Sequence, residues 1–165
     1  MRKKISIKVM QYLMASALCL FSMNCVGPLA GEEIKFLTPN IYEDLSPKAA
    51  RIEIKTEKSN WRFKDVQYND TIADLLNEKI YKIEHGEVKD PSFSYESKTI
   101  DNQWVTEIKG SFFSIISEKS PRDKNMPAVI TVDIAENRSK EKRILLVQLM
   151  DLDAGGYFRI EQNSE

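Results

Sequence analysis

From Arg51 to Thr56 charged and apolar side chains alternate without a break, as Arg-Ile-Glu-Ile-Lys-Thr. A two-residue period places Ile52 and Ile54 on one face and their charged neighbours on the other, which describes a strand with one buried side. Trp61-Arg-Phe-Lys-Asp-Val66 repeats the pattern after a turn at Lys58-Ser59-Asn60. Similar stretches run to the C-terminus: Phe93 and Tyr95 within 92–100, Trp104–Ile108, Phe112–Ser117, Ala128–Ile134, Ile144–Leu149 and Tyr157–Ile160. Turn residues punctuate them at Asp90-Pro91, Lys109-Gly110, Glu136–Ser139 and Gly155-Gly156. The pattern predicts about eight or nine strands, 8–15 residues apart, with no long helical period and no βαβ alternation. That rhythm is the signature of an all-β antiparallel sandwich of immunoglobulin-like type.

Three stretches are ambiguous. Ile34–Leu37 reads as a first strand within a leader over 31–50. Asp70–Asn77 reads as a short helix capped by Asp70, or as a loop over the core. Ile80–Ile83 reads as a short strand ending at His85-Gly86. Residues 67–101 are long for a sandwich connection and are expected to be an insertion into a domain spanning 51–165.

The N-terminus has a different character. Arg2, Lys3, Lys4 and Lys8 precede an apolar run from about Val9 to Met23, followed by Cys25, Gly27, Pro28 and Ala30. A charged start, a short apolar stretch and small helix-breaking residues describe an export signal over residues 1–30. The apolar run of roughly 15 residues is short of the ~20 that span a bilayer. Two processing routes fit. One cuts near Ala30. The other cuts before Cys25 and lipidates its thiol, although Ser22 and Asn24 are unusual neighbours for lipoprotein processing. Cys25 is therefore the candidate lipidation residue. The expected location is the periplasm or the cell surface, with outer-membrane anchoring if Cys25 carries lipid.

Charge and cysteine content narrow the function. The chain has 24 Lys and Arg, 25 Asp and Glu, and a net charge of −1. Setting aside the four N-terminal cations leaves 20 against 25 acids, a balance that disfavours a phosphate backbone, so no nucleic-acid partner is expected. Both cysteines, Cys19 and Cys25, fall in the export segment. The domain must therefore be held by its core, and about 135 residues suffice for one.

No catalytic constellation emerges. The single His85 sits in a Glu-His-Gly turn, where a solvated role is the ordinary one. No nucleophile elbow, phosphate loop or dinucleotide fingerprint occurs. Asp151, Asp153, Gly155 and Gly156 form an acidic turn with too few fixed oxygens for calcium. No enzyme activity, cofactor or metal is expected, and the domain is expected to be a monomer. The residues with binding potential are aromatic: Trp61, Trp104 and Tyr157. Exposed, they offer flat faces to sugar C–H surfaces; buried, they are core, as the Trp of other sandwiches is. Adjacent Phe112 and Phe113 point to opposite faces if extended, which leaves one exposed or covered by 67–101.

The C-terminal third carries a family resemblance. Val129-Ile-Thr-Val-Asp-Ile134, Asn137, Ser139, Lys142-Arg143, Ile144-Leu-Leu-Val-Gln148 and Tyr157-Phe-Arg-Ile-Glu-Gln162 follow one order. Together with Ile52-Glu-Ile54 before Trp61, and with Trp104–Ile108, this resembles the BACON domain, an immunoglobulin-like module of exported Bacteroidetes proteins. The resemblance implies carbohydrate as the ligand class. Physical chemistry gives three of these residues structural roles: Asn137 a turn, Arg143 a stem laid on the sheet with its guanidinium in water or on a carboxylate, and Gln162 a backbone hydrogen bond near the closing edge. Two function classes follow: an exported cell-envelope module that binds a glycan, or a structural module that contacts another envelope protein. The first expects an exposed Trp or Tyr in a shallow groove. The second expects an apolar patch or an unprotected edge strand.

Overall fold

The structure is a computed structural model, and it describes residues 33–120, 123–152 and 154–165. The segment expected to direct export, with Cys25, lies outside the described residues. The described chain is all-β, with twelve strands in two sheets.

The larger sheet has seven strands in the order β1 (Ile41–Leu45), β12 (Ala154–Gln162), β11 (Arg143–Asp151), β3 (Arg62–Tyr68), β4 (Thr71–Asp74), β5 (Lys79–Lys82) and β6 (Gly86–Val88). The smaller has five: β2 (Ala50–Thr56), β10 (Ala128–Ile134), β9 (Phe113–Lys119), β8 (Gln103–Lys109) and β7 (Ser94–Ile100). All pairings are antiparallel except β1 with β12, which run parallel. This is an immunoglobulin-like sandwich, with β4 and β5 lengthening one sheet as the extra strands of variable-type domains do.

The alternation seen in sequence builds the core. Ile52, Ile54, Ile108, Ile115, Ile130 and Val132 turn inward from the smaller sheet. Val66, Leu145, Val147, Phe158 and Ile160 meet them from the larger. Both sets are buried, and two sheets at about 10 Å separation share one apolar layer between them.

Several expectations need correction. Thr71–Asp74 is strand β4, not a helix. The Asp74 carboxylate accepts the N–H groups of Leu76 and Asn77, at 3.0 and 3.1 Å, and so closes a turn that mimics a helix start in sequence. Residues 67–101, expected as an insertion, are part of both sheets. They supply β4, β5 and β6 to one sheet and β7 to the other. The leader is structured too, since β1 joins the larger sheet. Ile34–Leu37 makes only one bridge, Phe36 to Thr56, instead of a full strand. Gly155 and Gly156 lie within β12, where a Cβ on Gly156 would come within 2.9 Å of Ile34. Phe112 and Phe113 are both buried, 5.4 Å apart edge to face. Phe112 precedes β9 in a tight turn closed by the Gly110 N–H to the Phe113 carbonyl, at 3.0 Å, so strand alternation does not apply to it.

One end of the sandwich is tied by polar side chains. Asn137 is fully buried in the link between β10 and β11, which are consecutive but lie in opposite sheets. Its amide donates to the carbonyls of Glu141 and Asn163, and its oxygen accepts from the Ser139 hydroxyl. The Gln162 amide nitrogen donates to the carbonyls of Pro47, Lys48 and Ala135 at 3.0–3.1 Å. Arg143 reaches the Glu136 carbonyl at 3.1 Å and lies over the Phe112 ring, in place of the water or carboxylate its sequence context suggests.

Candidate binding surface

The smaller sheet ends in a hairpin that stands apart from the rest. Asp101 and Asn102 both have positive φ, 49° and 62°, between the paired ends Ile100 and Gln103. Two left-handed residues in a two-residue loop define the type I′ turn that suits a twisted hairpin, and Asp and Asn tolerate that conformation. At the other end, Phe93 anchors the start of β7 by stacking on Tyr68, with ring centroids 5.8 Å apart. The Tyr68 hydroxyl donates to Asp90 at 2.7 Å, and Ser92 caps the same carboxylate. Burial first, then this bond to Asp90, pushes the Tyr68 phenol above its usual range. The Ser92 hydroxyl, helped by Tyr68, holds Asp90 below its own.

Between these anchors all seven residues of β7 are exposed. Trp104 on β8 is 49% exposed, and Tyr95 and Ile100 on β7 are 42% each. The indole N–H of Trp104 donates to the Ser97 hydroxyl, which pairs with Thr106 Oγ1 at 3.0 Å. The ring is therefore held against the hairpin with much of its surface open. Register puts Tyr95, Ser97, Thr99 and Trp104 on the face that continues the inner side of the sheet. Glu96, Lys98 and Ile100 lie on the outer face, where Glu96 and Lys98 approach to 3.6 Å.

The free side of β7 sets it apart from the other edges. The edge of β2 is partly occupied by the 35–38 segment: Leu37 N–H bonds to the Lys55 carbonyl at 2.7 Å, and Glu57 N–H to the Lys35 carbonyl at 2.9 Å. β1 has a register shift against β12 and a positive φ at Asp44, and β6 has three residues. Among the described residues β7 is the one long edge with an unpaired side and no covering segment. Such an edge presents a row of free N–H and C=O groups. Beside it, where β4 and β5 diverge from the start of β7, lies a cleft of ≈ 320 Å³ lined by Leu75, Ile80, Phe93 and Tyr95 together with Glu78 and Lys79.

The structure separates the three aromatics that the sequence singles out. Trp61 is 2% exposed and is a core residue, so it offers no face to a ligand. Its indole N–H is shared between Thr56 Oγ1 and the Lys58 carbonyl, each at 2.9 Å. The Lys119 ammonium sits 3.9 Å above its ring and donates to the Trp61 carbonyl. Burial lowers the Lys119 ammonium to about 8. Trp104 is exposed, against sandwich precedent, because its end of β8 runs past the opposing sheet's cover. Tyr157 is 47% exposed on the outer face of the larger sheet, beside Gln148. It does not share a surface with Trp104. Asp65 lies farther along that face, opposite Asp74, and desolvation raises its carboxyl.

The acidic turn is not assembled as a site among the described residues. Asp151 accepts a hydrogen bond from the Asn60 amide, and Asp153 lies outside the described residues. Sequence reasoning read a strand within 92–100 and missed that β7 forms the free edge of its sheet. Its alternation was legible, but the empty position beside it depends on strand order, which no local pattern encodes.

Neither a family model nor a curated protein matches the chain. Among solved structures, the chain is similar to the NMR structure of a protein from Bacteroides thetaiotaomicron, at 12% identity and a TM-score of 0.48, over 87% of this chain and 98% of that one.

Proposed function

We propose that this chain is an exported, non-catalytic module of the cell envelope that binds another protein by adding a strand to the free edge of β7. The observation that carries this reading is the seven-residue edge strand, exposed throughout and unpaired on one side, beside the open surfaces of Tyr95, Ile100 and Trp104. Strand addition takes affinity from main-chain hydrogen bonds and specificity from alternate side chains. Export rests on the segment from Arg2 to Cys25, with Cys25 as the proposed lipid attachment point. The non-catalytic reading rests on a sequence with one His and no Cys after Cys25.

A photo-crosslinking residue placed at Lys98 of the full chain, in cells, tests the edge. Adducts are expected from position 98 and not from position 140, an exposed lysine site outside the hairpin. Equal or absent labelling at the two positions overturns the reading.

A glycan is the second reading, favoured by the open indole of Trp104 and by the BACON resemblance. It expects the full chain to be retarded in a polysaccharide affinity gel and Trp104→Ala to lose the retardation while keeping its unfolding temperature.

A further inference from the structure

We propose that the protein on the β7 edge is a second copy of this chain, the two β7 strands pairing antiparallel about a two-fold axis beside Ser97. The inference rests on the edge reading above and names its partner.

The argument is one of register. A two-fold axis perpendicular to a sheet keeps the outer faces of both copies on the same side and must pass beside a residue, which then faces itself. β7 runs from Ser94 to Ile100, so an axis beside its centre, Ser97, pairs all seven residues. In that register Glu96 lies opposite Lys98 of the second copy, and Lys98 opposite its Glu96. The register of greatest overlap is thus the one that opposes unlike charges. Moving the axis to Glu96 sets carboxylate against carboxylate, and moving it to Lys98 sets ammonium against ammonium. Either shift shortens the paired stretch as well. Directly opposed side chains on one face lie about 5 Å apart, close enough for each Glu96 to sit between its own Lys98, at 3.6 Å, and the second copy's.

The inner face supports the same register. Ser97 meets Ser97, a small pair suited to an axis. Thr99 lies beside Trp104 within one copy and opposite Tyr95 of the other. Two exposed rings from different copies then flank one small residue, so the pairing covers surface that is open in the single chain. The result joins two five-stranded sheets into one continuous sheet. The monomer expected from sequence becomes a symmetric dimer.

Charge exchange tests this. Sedimentation of the full chain is measured for the parent, Glu96→Lys, Lys98→Glu, the double exchange, and an equal mixture of the two single variants. The parent is expected to dimerise, and each single variant to weaken self-association by about tenfold or more, because both symmetric pairs become repulsive. The mixture is expected to form a heterodimer, since a chain with two lysines then faces a chain with two carboxylates. The double exchange is expected to restore dimerisation. Both positions are solvent-facing, and thermal unfolding of each variant separates misfolding from lost association. A parent that stays monomeric, or a mixture that associates no better than its components, overturns the second copy. If the parent is monomeric while a crosslinker at position 98 captures a different chain, the edge reading survives and the self-pairing does not. If position 98 also captures nothing, both fall.

Discussion

Lys119 sits on the inner face of β9 with its ammonium above the Trp61 ring, and burial brings it to about 8 from an ordinary 10.5. A lysine whose folded value lies below its unfolded one binds fewer protons when folded. Stability therefore rises with pH once the folded chain begins to lose that proton. The window runs from pH 8 to about 10. Above that, the Tyr68 phenol, raised by burial and by Asp90, acts in the opposite sense as the unfolded phenol ionises first. Thermal unfolding across this window is expected to show a gain of roughly 1–2 kcal/mol, discounted for partial solvent screening and for the ring's attraction to the cation. Lys119→Met is expected to remove the slope and to be the more stable form at pH 7. A slope that persists in the variant assigns the effect to another group. Little of this was legible in sequence. Lys119 follows Glu118 in a strand, and either parity of that strand was open until register fixed which residue faced Trp61.

Strands with strict alternation were legible, because burial on one face writes itself into every second residue; β2 and β10 are the clearest cases. β4 was not. It has four residues, too few for a period to outweigh the helix-like signal of Asp70, Ile72, Leu75 and Leu76. The exposure of Trp104 was also hidden, since the side chain obeys the inward parity of β8 while its end of the strand lacks an opposing layer. The β7–β8 hairpin offers a test at this scale. Asn102 holds φ at 62°, a conformation that costs a β-carbon-bearing residue roughly 1–2 kcal/mol and that Asn tolerates better than most. Asn102→Ala is expected to loosen the hairpin by about 1 kcal/mol, and Asn102→Gly to preserve or strengthen it. Amide exchange along β7 reads the difference, and equal protection in the two variants contradicts the turn assignment.

For the molecule as a whole, the two sheets are joined by their shared core and, at one end, by Asn137 and Gln162. Gln162 is the last residue of β12, yet its amide holds carbonyls from the loop before β2 and from the link after β10. Gln162→Ala removes a buried amide that holds three carbonyls, of which Pro47 keeps the Asn137 N–H and Ala135 keeps Arg143. The expected cost is roughly 2–3 kcal/mol, measured by chemical denaturation. A cost below about 0.5 kcal/mol would mean that water replaces the amide without loss. The residues that carry the family resemblance thus do architectural work at this end, far in the chain from the hairpin that carries the proposed function.

The pairing of β1 with β12 also fixes when the domain can form. Ile41 lies beside Arg159, so one of the first strands completes its sheet only against the last. β12 is itself an interior strand, and without it β1 has no neighbour and β11 loses one side. A chain emerging N-terminus first cannot close this sheet until β12 has followed the other eleven strands. Until then the seven-stranded sheet lacks an interior strand, and only the five-stranded sheet has all its members in place.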